Sequence, residues 1–145
     1  LRPSEEEDEP CFSLKLDERV FVLRLIPGIK PDIFSMLYPS YRAVVIEGFG
    51  VGGLPGGEKG ELLSSVRRWL SSGRLAVFST QVWHEGSDLS VYEVGRIARE
   101  LPGVLEARDM TPESIVTKLM WVLGKTEDPN EARHLFETPI MHDIL

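Results

Sequence analysis

Cysteine, histidine and long apolar runs are scarce in this sequence of 145 residues, and each shortage narrows the possible functions. The one cysteine, Cys11, excludes an intrachain disulfide and favours a reduced compartment. The three histidines follow no H-x-x-H pattern, so we expect no metal site. No apolar run approaches the roughly 20 residues that span a bilayer, and the first residues do not resemble a signal peptide. We therefore expect a cytoplasmic protein with no membrane partner.

Basic residues are outnumbered, with 16 lysines and arginines against 23 acidic residues and a formal net charge of −7. A general nucleic-acid binder needs a basic face, so we expect no nucleic-acid partner. Part of the acidic excess lies in residues 5–9. We predict an acidic linker or disordered arm at residues 1–18 and one α/β domain at residues 19–145. Whether the arm is a linker or a frayed terminus stays open.

Apolar runs rich in β-branched residues alternate along the chain with segments of helical spacing. Strands are predicted at residues 20–26, 43–46, 75–78 and 103–105, the first of them buried on both faces. Helices are predicted at residues 31–37, 62–70, 90–101, 111–124 and 128–136, with glycine ending the second at Gly73 and the fourth at Gly124. This alternation predicts a three-layer α/β/α fold, Rossmann-like, with a small parallel sheet of about four strands.

Glycines are concentrated in the loop that follows the second predicted strand, with four in residues 48–53. In a parallel sheet, ligands bind at the carboxyl ends of the strands, where this loop and residues 27–30 and 79–88 should meet. The spacing matches G-x-G-x-x-G, but the loop continues to residue 57 before a helix begins, which argues against dinucleotide binding. A tight structural loop, a loop at the edge of a substrate site and a subunit contact stay open.

A tyrosine and a glutamate, Tyr92 and Glu93, stand at the start of the third predicted helix. Glu93 forms a possible capping box with Ser90, while Tyr92 could simply pack against the sheet. The functional alternative is that the carboxylate and the phenol lie over the strand ends and hold an ammonium group. No G-x-S-x-G elbow is present, which disfavours a serine hydrolase.

Several ordered motifs together resemble the type I L-asparaginases, over roughly residues 19–145. The matching segments are residues 23–28, 45–55, 80–95, 109–124 and 138–140, of which the run Glu85-Gly-Ser-Asp-Leu-Ser-Val-Tyr-Glu-Val-Gly95 fits best. The resemblance implies the C-terminal domain of an enzyme that hydrolyses L-asparagine to L-aspartate and ammonia, with no cofactor. It also implies a homodimer or homotetramer.

In that family the larger N-terminal domain carries the nucleophilic threonine, in a Thr-Gly-Gly-Thr segment, and a second threonine with aspartate and lysine. Neither that segment nor a His-Gly-Thr-Asp-Thr stretch occurs in this sequence. The resemblance therefore implies no catalytic residue here, a requirement for the N-terminal catalytic domain as partner, and an inactive fragment.

The resemblance also implies which residues border the substrate. Glu93, with Tyr92, would contact the amino group of L-asparagine in the active site of a neighbouring subunit. The loop Gly50, Val51, Gly52 and Gly53 would border that site, although secreted relatives carry asparagine where Gly53 stands. Val82 occupies the position of a cysteine near a proposed effector pocket, which puts that pocket in doubt.

Two alternatives remain beside this interpretation. The D subunit of the archaeal glutamyl-tRNA amidotransferase contains an asparaginase-like pair of domains and shares a Lys-Leu-Met-Trp-like helix. A small-molecule binding or interaction module that kept the fold and lost catalysis is the other alternative.

Overall fold

A computed structural model describes residues 12–50, 53–55, 60–82, 87–88, 103–140 and 143–144. The strands are β1 (Val20–Arg24), β2 (Ala43–Gly48), β3 (Leu75–Thr80) and β4 (Val104–Glu106). The helices are α1 (Ile33–Leu37), α2 (Glu61–Ser71), α3 (Pro112–Lys125) and α4 (Pro129–Glu137). The helix predicted at residues 90–101 lies outside the described residues. No helix in the described part is long and apolar enough to cross a membrane.

The four strands form one parallel sheet in the order β1-β2-β3-β4, as the alternation predicted. Val45 pairs with Val22 on one side and with Val77 on the other, and Val77 pairs with Leu105. These branched side chains suit a pleated surface that is covered on both faces. Because the strands are parallel, all four carboxyl ends lie at the same edge of the sheet.

Alternate residues of the strands pack into two separate hydrophobic cores, one on each face of the sheet. This confirms the predicted three-layer α/β/α fold. On one face, Val44, Ile46, Ala76 and Phe78 pack with α1 and α2. On the other face, Val45, Val77 and Leu105 pack with α3 and α4. Neighbouring buried residues of a strand thus enter opposite cores, as a period of two requires.

The prediction that the first strand is buried on both faces is wrong. Leu23 is buried on the α1–α2 side, but Val22, on the other side, is 42% exposed. β1 is an edge strand, and α3 covers that side of it only in part, so Val22 reaches solvent. The strand also ends at Arg24 instead of residue 26.

Of the helix signals predicted within the described residues, those at Thr111, Asp128 and Gly73 are confirmed and the one at Gly124 is wrong, while the capping box predicted for Ser90 and Glu93 lies outside the described residues. Thr111 Oγ1 accepts a hydrogen bond from Ser114 N, and the Asp128 carboxylate accepts one from Asn130 N, so both residues are N-caps. Gly73 follows α2 with a φ of 80°, as a C-terminal glycine does. Gly124, however, does not end α3, which continues through Lys125. Gly124 is needed instead because the Lys15 carbonyl lies against it.

Candidate functional site

The carboxyl edge of the sheet brings together the ends of β1, β2 and β3, where sequence analysis placed the candidate site. The glutamine that follows β3 joins the other two strands: Gln81 Nε2 donates to the carbonyl oxygens of Leu25 (2.8 Å) and Glu47 (3.0 Å). Gln81 N also donates to Gly48 O at 3.3 Å. One side chain thus bonds to carbonyls at two neighbouring strand ends, of which Glu47 O also accepts a hydrogen bond from Leu25 N at 3.1 Å, and it connects three strand ends.

The glycine loop after β2 is closed by two backbone hydrogen bonds. Phe49 N donates to Gly53 O at 3.0 Å, and Gly53 N donates to Phe49 O at 2.7 Å. Gly50 turns the chain with a φ of 53°, a conformation that costs glycine little. Helix α2 begins only at Glu61, so its N-terminus does not open on the glycines as a dinucleotide fingerprint requires.

A threonine hydroxyl attaches this loop to the end of β3. Thr80 Oγ1 donates to Gly50 O and accepts a hydrogen bond from Val82 N at 2.9 Å. The hydroxyl therefore acts both as a donor and as an acceptor, and it connects the loop with the residues that follow β3. Gly50 and Gly53 thus have structural roles in closing the loop; that they border a substrate site stays a prediction. Val51 and Gly52 lie outside the described residues.

The loop after β3 is also attached to the loop after β4. Ser87 N donates to Arg108 O at 2.8 Å, and Ser87 Oγ donates to the same oxygen at 3.4 Å. Arg108 has a φ of 50°, which is uncommon for a residue with a side chain. The carboxyl edge is thus a rim of connected loops, held together by hydroxyl, amide and backbone groups.

The roles of Thr80, Gln81 and Arg108 in holding this rim were not predicted from the sequence. A signal was present for two of them: a Thr-Gln pair directly follows a strand of continuous apolar residues. Polar side chains at that point must find partners among neighbouring strand ends. For Arg108 no local signal exists, because the residue that bonds to its carbonyl, Ser87, is remote in the sequence.

The predicted substrate contacts, Tyr92 and Glu93, lie outside the described residues. Val82 is at the rim and 37% exposed, and its apolar side chain offers no hydrogen bond to an effector. The Glu47 carboxylate faces Arg24 at 4.0 Å and is largely buried. Within the described residues no group of three or more His, Cys, Asp or Glu side chains could hold a metal ion. What the described rim offers is a rigid support for neighbouring groups.

Comparison with known proteins agrees with this geometry. The family profile described as "Glutaminase/Asparaginase C-terminal domain" matches residues 19–136. The L-asparaginase of Thermococcus kodakarensis is 39% identical over 143 residues, which are 99% of this chain and 43% of that protein. Its solved structure superposes with a TM-score of 0.88 over the whole chain and 43% of its own length.

Two further relatives bear on the alternatives. The D subunit of the glutamyl-tRNA(Gln) amidotransferase of Thermofilum pendens is 33% identical over 94% of this chain and 30% of that protein. The structure of L-asparaginase I from Vibrio cholerae, 22% identical, has a TM-score of 0.81 over 99% of this chain and 43% of its own, and supports the fold. The chain thus spans less than half the length of each of these relatives.

Proposed function

This chain belongs to the glutaminase/asparaginase C-terminal domain family, and we propose that it is part of a longer enzyme that hydrolyses L-asparagine to L-aspartate and ammonia. The observation that carries the proposal is the 39% identity, across 99% of the chain, to a protein named L-asparaginase. A TM-score of 0.88 to the structure of that protein supports it. We further propose that the enzyme is cytoplasmic and works as a homodimer or homotetramer.

The proposal divides the work between two domains. This sequence has no Thr-Gly-Gly-Thr segment, so the nucleophile belongs to the N-terminal part of the longer protein. A threonine hydroxyl there would attack the side-chain amide carbon, release ammonia and form an acyl-enzyme, which water then cleaves to L-aspartate. The present domain would contribute to substrate binding and not to bond cleavage.

The substrate contacts proposed for this domain are Glu93 and Tyr92. A carboxylate is the natural partner of the α-ammonium group of L-asparagine, and such charge-assisted hydrogen bonds are among the strong ones. Both residues follow, in sequence, the rim that Thr80 and Gln81 hold in place. A rim fixed by neutral hydrogen bonds keeps its shape as pH changes, which suits a support for a charged contact.

The test is an assay of ammonia release from L-asparagine by the full-length protein and by the 145-residue chain. We expect turnover only from the full-length protein. Glu93→Gln in the full-length protein should lower kcat/KM by about 100-fold, because it removes the charge from an ion-paired contact. Glu127→Gln is the matched control, since that carboxylate is almost fully exposed, and its kcat/KM should not change. Unchanged kcat/KM in Glu93→Gln would leave Glu93 only its helix-capping role.

The second candidate is a component of an amidotransferase, favoured by the 33% identity to the Thermofilum pendens protein. Asparaginase activity that needs no partner protein and no tRNA would decide for the first proposal. Ammonia release that rises only with a partner protein and glutamyl-tRNA would decide for the second. A gene that encodes no catalytic part before this chain would instead support a binding or interaction module.

A further inference from the structure

Thr80, the last residue of β3, bonds the glycine loop to the chain that continues beyond that strand. Its hydroxyl donates to Gly50 O and accepts a hydrogen bond from Val82 N at 2.9 Å. Gly50 and Val82 are exposed, and Thr80 itself is half-buried. Because water can replace both bonds at so open a place, their loss should change the stability of the fold little.

The base and the tip of the glycine loop are held in different ways. At the base, the side chains of Phe49 and Leu54 pack against the α1–α2 core. At the tip, the chain turns at Gly50 with a φ of 53°. Within the part of the chain that the structure describes, the hydrogen bond from Thr80 is the one that joins Gly50 to another segment. The tip therefore depends on the Thr80 hydroxyl for its position.

The neighbouring glutamine, Gln81, acts on a different kind of acceptor. Its Nε2 donates to the carbonyl oxygens of Leu25 and Glu47, which lie at strand ends that the parallel ladder already places. Thr80 donates instead to a loop carbonyl, which no ladder places. Loss of the Gln81 side chain would disturb the sheet, whereas loss of the Thr80 hydroxyl would release the loop.

We propose that Thr80 is a positioning residue for substrate binding, whose hydroxyl holds the glycine loop and the residues after β3 as one unit. The inference rests on the proposed function, in which the loop of Gly50 and Gly53 borders L-asparagine and the chain beyond Val82 leads to the substrate contacts. Thr80 acts through Gly50 and Val82 and touches no reacting atom. A displacement of about 1 Å around a substrate can change the rate by about 100-fold, so bonds that contribute little to the fold can matter for binding.

The kinetic signature follows from the division of work between the domains. With the nucleophile on the N-terminal part, loss of the Thr80 hydroxyl should weaken binding and leave the chemical step nearly intact. In the full-length protein, Thr80→Val keeps the shape of the side chain, and it should raise KM for L-asparagine about 10-fold and change kcat by less than about 2-fold. Thr80→Ser keeps the hydroxyl and should retain the parent KM.

A matched control and a second measurement separate positioning from folding. The exposed Thr117 hydroxyl donates to Glu113 O at 2.8 Å inside α3, so Thr117→Val should leave KM and kcat unchanged. Amide hydrogen exchange in the full-length protein needs no turnover. The Gly53 amide, which donates to Phe49 O, should exchange about 10-fold faster in Thr80→Val and at the parent rate in Thr80→Ser.

In an active enzyme, an unchanged KM in Thr80→Val would overturn the inference, even if the variant unfolded more easily. An equal rise in Thr80→Ser would also overturn it, since the hydroxyl would not be the cause. Thr80→Ala gives the same comparison if Thr80→Val does not fold. A full-length parent that releases no ammonia contradicts the proposed function instead. Equal exchange of Gly53 in that parent and in Thr80→Val would then overturn the role of Thr80 separately.

Discussion

The two helical layers, one on each side of the sheet, are stabilised by different kinds of side-chain contact. On the α1–α2 side, Trp69 lies against Phe34 and Tyr38, with ring centroids 5.8 and 5.2 Å away. Arg74 lies over the Tyr38 ring at 4.2 Å and donates to the Tyr38 carbonyl. On the α3–α4 side the core is mostly aliphatic, and a buried lysine, Lys118, takes the place of an aromatic cluster.

The α1–α2 layer is thus stabilised by contacts among its own aromatic side chains. The α3–α4 layer is stabilised in addition by segments from both ends of the described chain. Lys118 Nζ lies 2.9 Å from the Asp143 carboxylate and donates to Thr138 O at 2.8 Å, so the end of the chain is fixed to α3. Asp17 and Lys15 fix the other end of the described chain to the same helix. The α3–α4 layer therefore combines internal packing with attached segments.

The largest effect is expected from the aromatic cluster. Trp69→Ala should lower the free energy of unfolding by about 3–5 kcal/mol, because it empties a site with no solvent access. It also removes the hydrogen bond from Trp69 Nε1 to Leu75 O, which is 2.9 Å long. Urea unfolding followed by circular dichroism measures the change. Trp69→Phe, which keeps an aromatic ring, should lower the free energy of unfolding clearly less. Equal losses in the two variants would mean that the hydrogen bond, and not the packing of the ring, stabilises this layer.

The corresponding change on the other layer breaks an ion pair instead of a ring cluster. Lys118→Met keeps most of the side-chain volume but removes the charged partner of the Asp143 carboxylate, which is mostly buried, and the donor to Thr138 O. Burial raises the pKa of Asp143, but hydrogen bonds from Lys118 and Ile140 N outweigh it and hold the pKa below its usual value. Asp143 is thus ionised at neutral pH, and we expect a loss of about 2–3 kcal/mol.

The second substitution in that experiment tests the reason for the loss. Asp143→Asn in the Lys118→Met background removes the unpaired charge and should recover part of the stability. If the double variant recovered no stability, the unpaired charge of Asp143 would not be the cause of the loss, and the contact of Lys118 Nζ with the Phe136 ring, 5.7 Å away, would account for it.

Gly124 offers a test in which the sign of the effect changes. In an open helix, glycine to alanine gains about 1 kcal/mol of stability. In this chain Gly124→Ala should instead lose about 1–2 kcal/mol, because the new Cβ meets the Lys15 carbonyl and the segment must move. The same substitution in a chain that begins at Arg19 should be stabilising. A loss in both backgrounds, measured by urea unfolding, would show that residues 12–17 are not the cause.

Local features of the sequence were sufficient for the order of the described elements and for the layer architecture. Branched apolar runs, Thr111 and Asp128 as caps and Gly73 as a helix end all act within a few residues, so they can be read directly. The exposure of β1 could not be predicted in this way, because an edge strand can have the same apolar residues as a central strand. Only the order of the strands in the sheet distinguishes the two.

At the candidate site, too, contacts between segments that are remote in the sequence were not predicted. The position of the glycine loop at a strand end was predicted, but the contacts of Thr80 and Gln81 were not, since Gln81 joins carbonyls from two other strands. The role of Gly124 was predicted wrongly for a related reason: its neighbour Lys15 is far away in sequence. Contacts between remote segments carry no local pattern. The contacts predicted for Tyr92 and Glu93 lie outside the described residues and stay predictions.

The smallest effect is expected where the segment before β1 meets β2, and it depends on pH. Hydrogen bonds from Arg19 and then Arg42 hold the pKa of Asp17 well below its usual value, although burial opposes them. A carboxylate with a lowered pKa contributes stability above its unfolded pKa of about 3.9, and that stability is lost as pH falls through the folded value. Asp17→Asn should therefore cost about 1 kcal/mol at pH 7, with the difference from the parent chain shrinking below about pH 4.

Glu127→Gln, at an exposed carboxylate 3.7 Å from Arg42, should leave the profile of stability against pH unchanged. If Asp17→Asn cost the same at pH 7 and pH 3, its role would be a hydrogen bond without charge, and the ion pairs would not be what fixes this segment to the α3–α4 layer.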